Sequence, residues 1–114
     1  MTPAELRHLA AQKLAAADSL AADADRLRSQ AAAVRGLLDP LVSMSQRVWA
    51  GPAAADFETK VRAHAQQLDG ESLRLRQIAG EFDGEARSLH YEAAALRRAA
   101  DAAELAAAIP VGAS

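Results

Sequence analysis

The chain has no cysteine, four aromatic residues and two lysines among its 114 positions. The lack of cysteine excludes a disulfide scaffold, a thiolate metal centre and a cysteine nucleophile. Four aromatics, Trp49, Phe57, Phe82 and Tyr91, are too few for the core of a β-sandwich. No stretch approaches the roughly 18 consecutive apolar residues that a membrane-spanning helix needs, and the longest apolar run near either end is Ala106 to Ile109, before Pro110. There is no block of one charge either. The 13 basic and 15 acidic residues are interspersed and sum to −2, so nucleic acid is not an expected partner. The opening residues, Met1 to His8, show neither a basic stretch nor an unbroken apolar one. No ordinary signal peptide is therefore expected, and any export would take another route.

What the sequence has in quantity is alanine, 31 of 114 residues or 27%, which favours helices. Thr2 is a competent N-cap and Pro3 suits a first helical turn, where its missing N–H is not needed. From Leu20 the apolar positions fall at Ala24, Leu27, Ala31, Val34, Leu38 and Leu41, in alternating steps of four and three. That is the spacing of a coiled-coil seam. Asp18, Asp23, Asp25, Arg26, Arg28 and Arg35 lie off this seam and read as a solvated face. Asp39-Pro40 predicts a kink or a break and restart, since Pro40 cannot donate to the carbonyl of Gly36. Beyond it, Leu37, Leu41, Met44 and Val48 form one apolar row and Leu38, Val42 and Trp49 another, enough to touch more than one neighbour.

Trp49-Ala50-Gly51-Pro52 is the sharpest punctuation, with glycine suited to a helix C-cap and proline to the next first turn. The chain is expected to reverse there. Asp56 and Glu58 are then expected in the first turn of the second helix, where negative charge complements the helix dipole. That helix carries Phe57, Val61, His64, Leu68, Leu75, Ile78, Phe82, Leu89 and Leu96 at similar spacing, with Glu71, Glu85 and Glu92 in or beside the vacant steps. Gly70, Gly80 and Gly84 interrupt it, either as a bend or to let another helix approach. One all-α domain is predicted over residues 1–114, an antiparallel two-helix hairpin. Its first helix covers about 3–48 with the disturbance near 39–40, its turn 49–52, its second helix about 53–108 and its tail 109–114. The second arm, the longer, is expected to overhang at its C-terminal end.

Chemistry finds little footing. Glu5-Leu6-Arg7-His8 matches one Glu-x-x-His pair of a di-metal helical site, but the required second pair is absent and Arg7 would oppose a cation. No metal is expected. His64 reads as a buried, hydrogen-bonded histidine on the seam. His90, Tyr91 and Glu92 adjoin without a serine or cysteine nucleophile, and no glycine-rich loop follows a strand. An enzyme is therefore not predicted, nor a cofactor or small-molecule substrate. Arg74, Arg76, Arg97 and Arg98 are expected to form helical ion pairs with Glu71, Asp101 and Glu104. The acid-base mixture on the polar faces argues against a membrane-active helix.

Two long helices around Trp49-Ala50-Gly51, followed by Pro52-Ala53-Ala54-Ala55-Asp56-Phe57, resemble the WXG family, the early-secreted-antigen-like substrates of bacterial type VII (ESX) secretion. The resemblance covers about residues 4 to 108, and the excess of arginine over lysine, 11 against 2, is compatible with a high-GC actinobacterial source. It implies a Trp-x-Gly turn at Trp49, Gly51 and Pro52, and pairing into a four-helix bundle, either with itself as a homodimer or with a related WXG-type partner. It also implies folded export by the type VII machinery and a secreted or cell-surface location after synthesis in the cytoplasm. Leu27, Val34, Leu38, Leu41, Val48, Phe57, Val61, Leu68, Leu75, Ile78, Phe82 and Leu89 are the expected hairpin or dimer interface. Family members often carry a Tyr-x-x-x-Asp/Glu export signal after the second helix; here Tyr91 and Glu92 mark a degenerate form of that region, with Ala95 at the acidic position. The missing carboxylate leaves a second reading, an intracellular adaptor that binds the helical leader of a larger effector or toxin.

Overall fold

The computed structural model describes residues 1–40 and 52–109. Within these, nearly every residue is helical. Helix α1 is Pro3–Gly36, 34 residues, and α2 is Pro52–Ala108, 57 residues. Among the described residues, no helix is long and apolar enough to cross a membrane. Thr2 and Glu5 start α1 with a reciprocal capping box: the Glu5 N–H donates to Thr2 Oγ1 at 3.1 Å, and the Thr2 N–H donates to Glu5 Oε1 at 3.4 Å. The box satisfies two donors that a helix start otherwise leaves open.

The end of α1 departs from expectation. The helix stops at Gly36, not at Asp39-Pro40, and closes with a tightened turn in which Leu37 N–H donates to the Val34 carbonyl at 3.1 Å. Helix resumes over 38–40. Glycine is the weakest helix former after proline, and moving the break to it places Pro40 in a first turn, where its missing N–H costs nothing. Pro52 opens α2, so Asp56 and Glu58 fall beyond the first turn. They form pairs one turn on instead, Asp56 with Lys60 at 3.1 Å and Glu58 with Arg62 at 2.8 Å.

The chain divides into two compact units, each built from a stretch of α1 and a stretch of α2. The unit of Met1–Ala22 with Phe82–Ser114 buries Ala10 and Ala17 of α1 and Ala86, Ala93 and Ala100 of α2. Its helices run antiparallel, because Arg7 meets Asp101 and Glu104 whereas Lys13, further along α1, meets Glu92. The expected overhang is absent: the first turns of α1 are joined to the last turns of α2. The unit Asp23–Glu81 buries Ala24 and Ala31 of α1 with Val61, Ser72 and Ala79 of α2.

In both units the buried residues recur every seven positions, at 10, 17, 24 and 31 in α1 and at 72, 79, 86, 93 and 100 in α2. Small side chains let helix backbones approach more closely than leucine allows. Ser72 attests that approach, since its short side chain reaches the α1 backbone and Oγ donates to the Ala31 carbonyl at 3.1 Å.

Candidate functional site

The feature that can act on another molecule is the surface left beside these seams. Each helix carries a second heptad track three residues after or four before the small one. In α1 it comprises Leu6, Lys13, Leu20, Leu27 and Val34, and in α2 Val61, Leu68, Leu75, Phe82, Leu89 and Leu96. Of these only Val61 is buried; the others are half-buried. The physical reason is the alanine track itself. Where two backbones come close, a leucine cannot fit between the axes and lies against the flank of the seam, one side still in solvent.

Of the sequence-predicted interface residues, Leu27, Val34, Leu38, Leu68, Leu75, Ile78, Phe82 and Leu89 are half-buried and Val61 is buried. Phe57 is 39% exposed. Leu41, Val48, Trp49 and Gly51 lie outside the described residues, and Pro52 is exposed at the head of α2. In α1 the expected row of Leu20, Ala24, Leu27, Ala31, Val34 and Leu38 coincides with the two tracks. In α2 it does so only in part. His64, Glu71, Glu85 and Glu92 are exposed, and the companions of the leucines are Ser72, Ala79, Ala86, Ala93 and Ala100. A reading led by side-chain size passed over the residues that come closest to the partner helix. Their seven-residue recurrence was the signal that could have found them, but it is hard to see in a chain with alanine at 27% of positions.

The polar candidates are placed otherwise than expected. His64 is exposed, not a satisfied core histidine. Glu5 is used in the capping box and His8 Nε2 lies 3.3 Å from Gln12 Nε2. Among the described residues no three histidine, aspartate or glutamate side chains gather as metal ligands would. Tyr91 is 74% exposed, while Glu92 is held by Lys13 Nζ at 2.8 Å. Asp101 and Glu104, expected to pair along α2 with Arg97 and Arg98, are taken by Arg7: Nη2 donates to Asp101 Oδ1 at 2.7 Å and to Glu104 Oε2 at 2.9 Å, and Nη1 donates to Glu104 Oε1. The hydrogen bonds Arg7 donates to Glu104 first and Asp101 second raise its pKa above its already high ordinary value. Among the described residues Arg74, Arg76, Arg97 and Arg98 form no ion pair, contrary to the i,i+4 expectation. Exposed helical pairs are worth only about 0.3–0.5 kcal/mol, so a pattern of charges does not compel them.

The glycines of α2 do not break it, and among the described residues no other helix packs on them. The helix is continuous through all three. A methyl group at Gly70 or Gly80 would meet nothing within 4 Å, and one at Gly84 only the end of Arg87, at 3.8 Å. Each glycine costs the helix about 1 kcal/mol against alanine, and no contact among the described residues requires it. Comparison with protein families, with curated proteins and with solved structures finds no match for this chain.

Proposed function

We propose that this chain is a non-enzymatic WXG-type protein, exported by a bacterial type VII route, that acts by pairing its helices with those of a second protein into a four-helix bundle. The observation that carries the reading is the composition of what is buried. Apart from Val61, the described side chains removed from water are alanines and one serine, while leucines and Phe82 on the adjacent track stay half in solvent. Burying a leucine fully is worth about 1.5–3 kcal/mol against leaving it exposed, so among the described residues a partner that covered the leucine tracks would add apolar burial the hairpin lacks. Small helical domains commonly recover it by oligomerising. Either a second copy or a related WXG-type protein satisfies this requirement.

Leu75→Asp tests the pairing. The expected result is loss of the dimer by light scattering with helicity retained; a variant of unchanged mass and unchanged melting temperature overturns the proposal. Export is tested by assaying culture filtrate from a host strain with and without a working type VII apparatus. A second reading, the intracellular adaptor, is favoured by Ala95 standing four residues after Tyr91 where the signal would carry a carboxylate. Secretion from a strain lacking every other WXG-type protein counts against it.

A further inference from the structure

We propose that the face of α2 turned away from its seam, in the unit Asp23–Glu81, is a homotypic interface, covered in antiparallel sense by the same face of a second copy of this chain. This goes beyond the pairing above, which uses the half-buried leucine tracks on the other side of the helix. The seam side of α2 here runs through Leu68, Ser72, Leu75 and Ala79. Opposite it lie Ala63, Gln66, Gly70, Leu73, Gln77 and Gly80, alternating steps of three and four, all exposed. Leu73, in the middle, is 56% exposed. Among the described residues nothing lies within 4 Å of a methyl group placed at Gly70 or Gly80, so their smallness serves no packing there. It does suit a helix laid across them, because small residues lower the surface and admit a neighbouring side chain.

The order of residues identifies the occupant. With a two-fold axis between Glu71 and Ser72, Leu73 of one copy lies over Gly70 of the other, Gly80 over Ala63, and Gln66 beside Gln77. Along one edge Asp69 then stands opposite Arg76, and along the other Lys60 stands opposite Glu81, each pair formed twice. A parallel alignment would instead set leucine on leucine and like charge on like charge. Among the described residues Asp69, Arg76 and Glu81 form no ion pair, and Lys60 has only an exposed contact with Asp56 at 3.1 Å. The charges are thus available to the second copy.

The test is a charge exchange in the full chain, read as mass against concentration at low ionic strength. Arg76→Glu sets like charge against Asp69 of the other copy, and Asp69→Arg does the same against Arg76. Each single variant is expected to weaken association about tenfold or more, and the double variant, which restores opposite charges, to recover it. Gly70→Phe, which fills the notch for Leu73 without touching a charge, is expected to abolish the contact while helicity is retained. A wild-type chain that associates no further than Leu75→Asp and Arg76→Glu together overturns the proposal. So does a double variant as weak as the singles, which would assign the face to a different protein. Because these residues lie off the leucine tracks, loss through Arg76→Glu with the bundle intact separates this interface from the proposed dimer.

Discussion

The two units use the same small-residue seam and close it by different means. In the unit of Met1–Ala22 with Phe82–Ser114, every buried side chain is alanine, and ion pairs join the helices at its edges: Arg7 to Asp101 and Glu104, Lys13 to Glu92. In the unit Asp23–Glu81 the described contacts are of another kind. Within single helices it pairs Asp23 with Arg26, Asp25 with Arg28, Asp56 with Lys60 and Glu58 with Arg62, and its helices are joined by the buried hydrogen bond of Ser72 to Ala31 with Val61 in the seam. A charge joint at the surface is weak and yields to salt, whereas a hydrogen bond out of water does not. Alanine seams therefore hold helices together under either arrangement, and the close backbone approach is the common element.

Five substitutions test that comparison, in order of expected effect. Ala86→Leu and Ala31→Leu force a large side chain between the backbones of either unit, and each is expected to destabilise by about 1–3 kcal/mol. Thermal unfolding should show both; if leucine at these sites is neutral, the close approach is not what the seam provides. Ser72→Ala removes the buried joint but keeps the seam small, and is expected to cost about 1 kcal/mol, independent of salt between low and high ionic strength. Gly80→Ala adds a methyl group into open space and is expected to stabilise α2 by up to about 1 kcal/mol, seen as a rise in melting temperature of the unassociated chain. Arg7→Ala breaks the exposed joint of the first unit and is expected to have the smallest effect, a slight fall in melting temperature at low salt that vanishes in concentrated salt. A salt-independent loss at Arg7 together with a salt-sensitive one at Ser72 would invert the comparison.

Much of α1 was legible in the sequence, because there the small and large tracks alternate visibly as Leu20, Ala24, Leu27, Ala31 and Val34. In α2 the leucine track could be read and its alanine companion could not. His64 and Ile78 offered bulk at a nearby spacing, and hydrophobic size was taken as the guide to burial. Size fails as a guide when the closest contact is backbone against backbone. The expected break near Asp39-Pro40 falls instead at Gly36: Pro40 is the stronger disruptor taken alone, but the chain accommodates it by starting a new turn before it. Interhelical ion pairs such as Arg7 with Asp101 were beyond a reading of one helix at a time, which sees only neighbours three or four residues away.

The seven-residue recurrence also bears on how alignment is encoded. Ala10, Ala17, Ala24 and Ala31 are interchangeable teeth, as are Ala79, Ala86, Ala93 and Ala100. Sliding either rack by one tooth would again set alanine on alanine, so the repeat holds the helices together without saying where each should stop. That information resides in the few residues that spoil the repetition. Ser72 is the polar tooth among the described residues, and Arg7 finds its two carboxylates in one alignment only, since seven residues earlier stand Ala94 and Arg97. A handful of side chains, each modest in energy, thus acts as the detent of a mechanism whose grip is supplied by the most featureless residue in the chain.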